Sequence, residues 1–334
     1  MPELRPLDAP LRWGVLSPAL ITQKVLQGAA RSRAADVVAI ASRDLGRAQD
    51  AATRWRIPHA YGSYDELLLD DDVEAVYVPL PNGLHHPWTV RALEAGKHVL
   101  CEKPYSSHPD EVAEAFDLAE RRGLVLSEAF MFRYNPQIEA LRRMVVEERL
   151  IGDLRLVASA FTWPTDAPGA VRLDPALDGG SLLDVGVYCI SAARLLAGEP
   201  TSVTAQDVTG PTGVDVSFTA TMRFDEQVLG HFDCGFHLPD RSSLEVVGTR
   251  GVLRLDDPWH CYRPGITYTE ADGTQREIAV PVADSYQLQL DAFSRAVRRG
   301  EPSVLGSADA LGQARTLEAL RRSARTGVTT DVVR

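Results

Sequence analysis

Leu11-Arg12-Trp13-Gly14-Val15-Leu16, a helical spacing over Pro18 to Arg31, then Val37-Val38-Ala39-Ile40-Ala41: this opening stretch decides the fold. Short apolar runs flank a helical segment, and the second run is apolar at every position. Such a strand is buried on both faces, which means a parallel sheet covered by helices. The unit recurs downstream. Val73 to Val78 and His98 to Cys101 read as strands, with a helix from about Leu84 to Ala95 between them. A further helix starts at Asp44, a residue suited to the N-cap. Asp110 to Arg122 is helical and ends at Gly123, a typical residue just past a helix, and Leu124 to Ser127 is another strand. Residues 1–127 therefore read as a doubly wound α/β domain of the Rossmann kind, whose ligands bind beyond the carboxyl ends of the strands.

From residue 128 the pattern changes. A helix over about Pro136–Glu148 precedes runs rich in Val, Thr and Phe: Leu154–Trp163, Thr201–Val208, Val214–Phe224, Val228–Phe236, Ser243–Val247 and Gly251–Leu255. Their alternation predicts a largely antiparallel sheet with one open face. A helix from Ser181 to Leu196 interrupts them, and helices over about Asp284–Arg299 and Ser307–Arg325 close the chain. Residues 128–334 read as an α+β domain for substrate binding and oligomerisation, with closing helices that can pack back on the first domain. A cleft between the domains is the default ligand site. The alternating apolar residues of Val214–Phe224 and Val228–Phe236 are expected to bury against a second copy in a homodimer or homotetramer.

Composition narrows the function. The net charge of −11 argues against a nucleic-acid partner. No apolar run reaches the roughly 18 residues of a membrane span, and Met1 to Arg12 has no leader-like apolar core. Cys101, Cys189, Cys234 and Cys261 form no C-x-x-C pair and read as reduced thiols of a cytoplasmic protein. The eight histidines show no metal-ligand spacing.

The chemistry starts from lysine, of which the chain has only Lys24, Lys97 and Lys103 among 35 Lys and Arg. Lys103 ends an apolar strand, Cys101-Glu102-Lys103-Pro104. A lysine, unlike an arginine, can trade its proton near neutrality when buried, so Lys103 is a candidate acid/base group. The first strand-to-helix turn, Ser17-Pro18-Ala19-Leu20-Ile21-Thr22, has small residues but none of the usual glycines. A hydroxyl at Ser17 and the free N–H groups of the helix start still suit a phosphate. The second strand ends in Ala41-Ser42-Arg43. An acidic residue there would select NAD; Ser42 and Arg43 instead favour a 2′-phosphate, hence NADP over NAD. After the strand Val73 to Val78, Pro79-Leu80-Pro81-Asn82 pins an extended turn whose Asn82 can bond a ribose or an amide. In Gly179-Gly180-Ser181-Leu182-Leu183-Asp184-Val185-Gly186-Val187-Tyr188, Ser181 suits the N-cap, and Asp184 and Tyr188 share a helix face. A carboxylate and a phenol so placed can orient a substrate and exchange its proton, and a nearby lysine would lower the phenol's pKa.

Ala95-Gly96-Lys97-His98-Val99-Leu100-Cys101-Glu102-Lys103-Pro104, the Gly179–Tyr188 stretch and the two-domain order resemble the Gfo/Idh/MocA family of oxidoreductases over nearly the whole chain. Ser17 and Glu128-Ala129-Phe130-Met131-Phe132-Arg133-Tyr134-Asn135-Pro136 are most similar to its dimeric dihydrodiol dehydrogenase and NADP-dependent D-xylose dehydrogenase branch. The resemblance implies that Lys103 and Tyr188 are the catalytic pair, with Asp184 orienting the substrate. It places Ser17, Ala19, Leu20, Ile21, Ser42 and Arg43 on the cofactor, together with Pro79, Leu80, Asn82, His85, Glu102, Lys103 and Arg172. Glu102 and Pro104 would fix the turn, through a cis Lys103–Pro104 bond. Arg133 and Trp163 are candidates for the substrate pocket, with Asp184 and Tyr188. The implied activity is NADP-dependent hydride transfer to or from a carbinol carbon of a sugar, cyclic polyol or dihydrodiol. Two other readings stay open: an NADPH-dependent sugar 3-ketoreductase of a deoxysugar pathway, and a non-catalytic NADP sensor. Whether Tyr188 or Lys103 is the direct proton donor also stays open.

Overall fold

The computed structural model describes residues 9–165 and 170–333. Residues 1–8, the larger part of the segment read as free of a leader, lie outside the described residues. The chain opens with β1 (Leu11–Val15), α1 (Thr22–Ala29), β2 (Ala35–Ala41), α2 (Leu45–Trp55), β3 (His59–Tyr61), α3 (Tyr64–Leu68) and β4 (Ala75–Val78). It continues through α4 (His85–Glu94), β5 (His98–Cys101), α5 (Pro109–Arg122) and β6 (Leu126–Glu128). Then come α6 (Pro136–Arg142), β7 (Leu154–Thr162), α7 (Val187–Ala197), β8 (Ser202–Thr209), β9 (Asp215–Arg223) and β10 (Leu229–Gly235). The last elements are β11 (Arg241–Gly248), β12 (Gly251–Leu255), β13 (Ile266–Glu270), β14 (Gln275–Ile278), α8 (Ser285–Arg299), α9 (Ser307–Thr326) and β15 (Thr330–Asp331).

The chain divides into two compact units, one made of Met1–Ser106, Asp110–Met131 and Asp284–Ala310, the other of Ser107–Pro109, Phe132–Ala283 and Leu311–Arg334. In the first unit six parallel strands run in the order β3-β2-β1-β4-β5-β6. The doubly wound class read from the apolar strands is borne out, and this order has its switch point between β1 and β4. Asp44 caps α2, its carboxylate accepting from the Arg47 N–H, and Gly123 ends α5 at φ +66°. The α8 helix, which the chain supplies late, covers part of this sheet. Its Phe293 ring lies 5.0 Å from Trp13 of β1, and both are almost fully buried. Burying a side chain of that size contributes about 1.5–3 kcal/mol. Gly28 of α1 permits the crossing, because a Cβ there would stand 2.7 Å from the backbone nitrogen of Gln287. Arg298 of α8 holds Glu74 with both guanidinium nitrogens, at 2.9 and 2.6 Å.

In the second unit nine strands form a mixed sheet, β14-β13-β12-β11-β7-β10-β9-β8-β15. Every pair is antiparallel except β7 with β10. The alternating apolar residues of β9 and β10 do not await a second copy. Val216, Phe218, Ala220, Met222, Phe232 and Cys234 are buried within the chain itself. The period-2 pattern is right and its assigned face is wrong, because one sequence cannot say which face a neighbouring helix takes. Here the helical run ending in α7 lies on that face: a Cβ at Gly186 would meet the Cys234 sulfur at 2.9 Å. The outward face carries Ser217, Thr219, Thr221 and Arg223, and the Arg241–Asp233 and Arg254–Glu245 ion pairs. Pro175–Ala197 is long and apolar enough to cross a membrane, but 83% of its apolar window is buried inside the protein, so it serves as a core helix.

Candidate active site

In the first unit, the turn after β1 presents donors to open space. Among the described residues, no acceptor is found for the N–H groups of Ala19, Leu20 and Ile21, which precede α1. The helix starts later than its periodicity suggests, at Thr22 rather than Pro18, which leaves these amides outside its ladder. The Thr22 hydroxyl donates to the Ser17 carbonyl at 2.8 Å and so closes the turn without glycine. The first turn of α1 carries no acidic residue. Consecutive free amides at a helix start suit an anion, and they fit a dinucleotide's pyrophosphate.

The end of β2 fits the other phosphate. Ser42 is buried, and its hydroxyl oxygen accepts from the Asp44 N–H at 3.3 Å, leaving its proton to donate elsewhere. Arg43 is exposed and has no ion-pair partner among the described residues. Arg47, one helical turn on, lines a cleft of ≈ 290 Å³ together with Pro18, Ala19 and Thr22. Sequence reading missed Arg47; its i,i+4 spacing from Arg43 is the available signal. Asp44 is occupied as a helix cap.

The next two turns of this sheet are tied to each other. Each ring nitrogen of His85 lies 2.7 Å from a carbonyl oxygen, Nδ1 from Pro104 and Nε2 from Leu80. His85 is 1% exposed, so it acts as a brace between the Pro79–Asn82 turn and Pro104. The Lys103–Pro104 bond is cis. The Glu102 carboxylate accepts from the Tyr77 hydroxyl at 2.6 Å and from the Lys103 N–H at 3.3 Å, which holds the backbone at Lys103. Lys103 itself is half-buried. Glu128, at the end of β6, accepts from the Tyr105 N–H at 2.7 Å. The carboxyl ends of β4, β5 and β6 thus converge on the Lys103 turn.

The second unit gathers the other named residues. The helical run begins as a wide π-turn over Leu182–Gly186 and becomes α7 at Val187. Such turns recur at functional sites. Ser181 stands at the N-cap position as read, but it makes no capping bond: its backbone is already helical, and its hydroxyl donates to Asp215 at 2.6 Å. Sequence spacing gives no hint of Asp215, which lies on a strand far along the chain. Burial pushes the Asp215 carboxyl above its ordinary value, against the hydrogen bonds from Ser181 and Leu182 that pull it down. Asp184 accepts from Arg172 Nε at 3.2 Å, and the Arg172 guanidinium lies 4.7 Å over the Trp163 ring. Trp163, Arg172 and Asp184 therefore form one group. Tyr188 is 8% exposed, with its ring 5.6 Å from Phe132, 5.4 Å from Phe161 and 6.1 Å from Trp259. These contacts fix the phenol against an apolar wall. Arg133 donates to Ser191, one turn beyond Tyr188, at 2.9 Å. All four cysteines are free and buried, and burial pushes the Cys189 thiol up to about 12, which leaves it protonated.

Known proteins share both halves of this arrangement. The oxidoreductase family described by its NAD-binding Rossmann fold matches residues 12–130, and the GFO/IDH/MocA C-terminal domain matches residues 138–254. The chain is 37% identical to a D-xylose 1-dehydrogenase (NADP(+)) of Haloferax volcanii, over 96% of this chain and 100% of that protein. It is 38% identical to a trans-1,2-dihydrobenzene-1,2-diol dehydrogenase of Sus scrofa, over 82% of this chain and 81% of that protein. Among solved structures, a 3-ketoreductase from Actinomadura kijaniata in complex with NADP and TDP-benzene superposes with a TM-score of 0.89 at 34% identity, covering 94% of this chain and 98% of that one. With a Rossmann sheet and a mixed second sheet in one chain, and with both family domains matched in order, the protein belongs to the Gfo/Idh/MocA family of oxidoreductases.

Proposed function

We propose that the protein is an NADP-dependent oxidoreductase acting on the CH–OH group of a sugar, cyclic polyol or dihydrodiol, in the manner of a D-xylose dehydrogenase. The observation that carries the reading is the end of β2, where Ser42 and the exposed Arg43 stand where a ribose-binding carboxylate would select NAD. The Haloferax relative, an NADP(+) enzyme by name, supports the same choice.

Bound NADP supplies the site that takes or returns a hydride. The protein's residues do the rest. The Ala19–Ile21 amides hold the pyrophosphate, and Arg43 with Arg47 holds the 2′-phosphate. Tyr188 exchanges the proton on the substrate oxygen, its ring held by Phe132, Phe161 and Trp259. Lys103 is the alternative group to exchange that proton. Asp184, fixed by Arg172, accepts from a second substrate hydroxyl, and Trp163 and Arg133 border the substrate. A second reading, reduction of a nucleotide-linked keto sugar, draws support from the likeness to the Actinomadura 3-ketoreductase.

The working form is a homodimer or homotetramer in the cytoplasm, assembled through the open face of the second sheet. On that face Val252, Val247, Leu156 and Leu229 line up in register across β12, β11, β7 and β10 and give an apolar row to cover. The test of the function is NADP+ reduction, followed by absorbance, across aldoses, inositols and cyclic diols. Turnover on D-xylose or a close analogue with NADP+ preferred over NAD+ supports the first reading. Activity confined to NADPH-dependent reduction of keto sugars moves the assignment to the second.

A further inference from the structure

The helical run that carries Asp184 and Tyr188 starts on a residue that cannot cap it. Ser181 already has helical angles, φ −68° and ψ −33°, so its hydroxyl does not reach forward to the first turn. Asp215, the first residue of β9, takes that place. Its Oδ2 accepts from the Ser181 hydroxyl at 2.6 Å and from the Leu182 N–H at 2.7 Å. Its Oδ1 lies against Gly180, where a Cβ would stand only 2.2 Å away. Gly180 sits at φ +125°, in the region open to glycine and strained for other residues. Ser181 is fully buried, and the Cys234 thiol donates to its hydroxyl oxygen at 3.8 Å. One carboxylate is thus wedged between a glycine hinge and the first amide of the run. The wide turn over Leu182–Gly186 follows at once, with Asp184 in its middle and Tyr188 two residues beyond its end. A π-turn departs from the regular i→i−4 ladder, so its position depends more than usual on what holds its first residues.

We infer that Asp215 is a positioning residue: by gripping Ser181 and Leu182 beside the Gly180 hinge, it sets the height and rotation at which Asp184 and Tyr188 meet the substrate. The inference rests on the roles given to Asp184 and Tyr188 above. Asp215 works through the helix start and not on the reacting atoms. The Gly180 N–H donates to the Arg172 carbonyl at 2.9 Å and its carbonyl accepts from the Asp184 N–H at 3.0 Å, so losing the Asp215 contacts loosens the start of the run without freeing it. A shift of about 1 Å at reacting groups lowers turnover on the order of a hundredfold.

The test compares the parent with Asp215→Ala, Asp215→Asn and Ser181→Ala. Three quantities are read: kcat for NADP+ reduction with D-xylose, NADPH affinity by fluorescence, and amide hydrogen exchange over Leu182–Tyr188. Asp215→Ala removes the acceptor, so kcat falls about ten- to a hundredfold and exchange in that segment speeds up, while NADPH affinity stays within about twofold. Asp215→Asn keeps one oxygen that can accept both bonds and restores most of kcat. If Asp215→Ala does not fold, Ser181→Ala carries the test: it removes one of the two donors, and faster exchange over Leu182–Tyr188 is expected. Unchanged exchange in the folded variants, or an Asp215→Ala enzyme with parental kcat, overturns the inference. A parent that turns over none of the sugars counts against the proposed function instead, because exchange over Leu182–Tyr188 still reports the clamp.

Discussion

Arg172 joins Asp184 to Trp163: its Nε donates to the Asp184 carboxylate at 3.2 Å while its guanidinium plane lies 4.7 Å over the indole. Both charged side chains keep some exposure, 33% and 21%, so the pair contributes at most about 1 kcal/mol to stability. Its consequence is the aim of Asp184. Arg172→Met should leave the melting temperature nearly unchanged and lower kcat about tenfold. Arg172→Lys should not restore it, because an ammonium lacks the planar face and the fork. Steady-state kinetics and calorimetry on the same samples check both statements, and a full kcat in Arg172→Met would refute them.

Cofactor choice should follow Arg43. Losing a charge-assisted bond to a phosphate costs about 1.5–3 kcal/mol, or roughly ten- to a hundredfold in affinity. Arg43→Glu should therefore lower kcat/KM for NADP+ by that factor or more while raising the relative use of NAD+. Arg47→Ala should act in the same direction and more weakly, since Arg47 reaches the cleft from one turn further along α2. An unchanged NADP+/NAD+ ratio in both variants would remove the 2′-phosphate from this position.

His98 makes the first sheet sensitive to acid. The Val125 N–H donates to its Nδ1 at 2.9 Å, a bond that only the unprotonated nitrogen can accept. Burial, opposed in part by Glu74, lowers its pKa from 6.5 to about 4. The unfolded chain therefore binds the proton more readily between these values. The stability His98 contributes is present above pH 6.5 and is lost as pH falls through about 4. The loss at low pH is at most about 3 kcal/mol. Urea unfolding at several pH values should show a smaller acid slope for His98→Asn, whose side-chain oxygen can still accept from Val125. Equal slopes would contradict this account.

Five strands of the first sheet were legible because apolar strands separated by amphipathic helices admit few other arrangements; the short edge strand β3 was not, since His59–Tyr61 is only partly buried. The second sheet's main strands, β7 to β12, were legible from alternation; β13 and β14 were not read, β14 because Gln275–Ile278 is mostly polar and exposed. Alternation also left the covered face undecided, which is why Phe218 and Phe232 were assigned to a second copy when they belong to the core. The positions of Ser42, Arg43 and the Lys103 turn at the carboxyl ends of strands were readable because each follows an apolar run directly. Asp215 and Trp259 were not: their contacts with Ser181 and Tyr188 depend on β9 and the loop after β12 meeting the α7 run in space. Ser181 was legible as the residue before the helical run, but its missing capping bond was not, since its helical angles and the Asp215 carboxylate turn its hydroxyl away from the first turn.

The proposed function turns on Lys103, whose backbone N–H is held by Glu102, taking part in NADP-dependent turnover. The most direct test measures NADP+ reduction by the parent and by Lys103→Met at saturating D-xylose, together with NADPH affinity by fluorescence titration. In Lys103→Met kcat should fall by about two orders of magnitude or more, with NADPH bound nearly as tightly as by the parent. Near-parental turnover in Lys103→Met would contradict it.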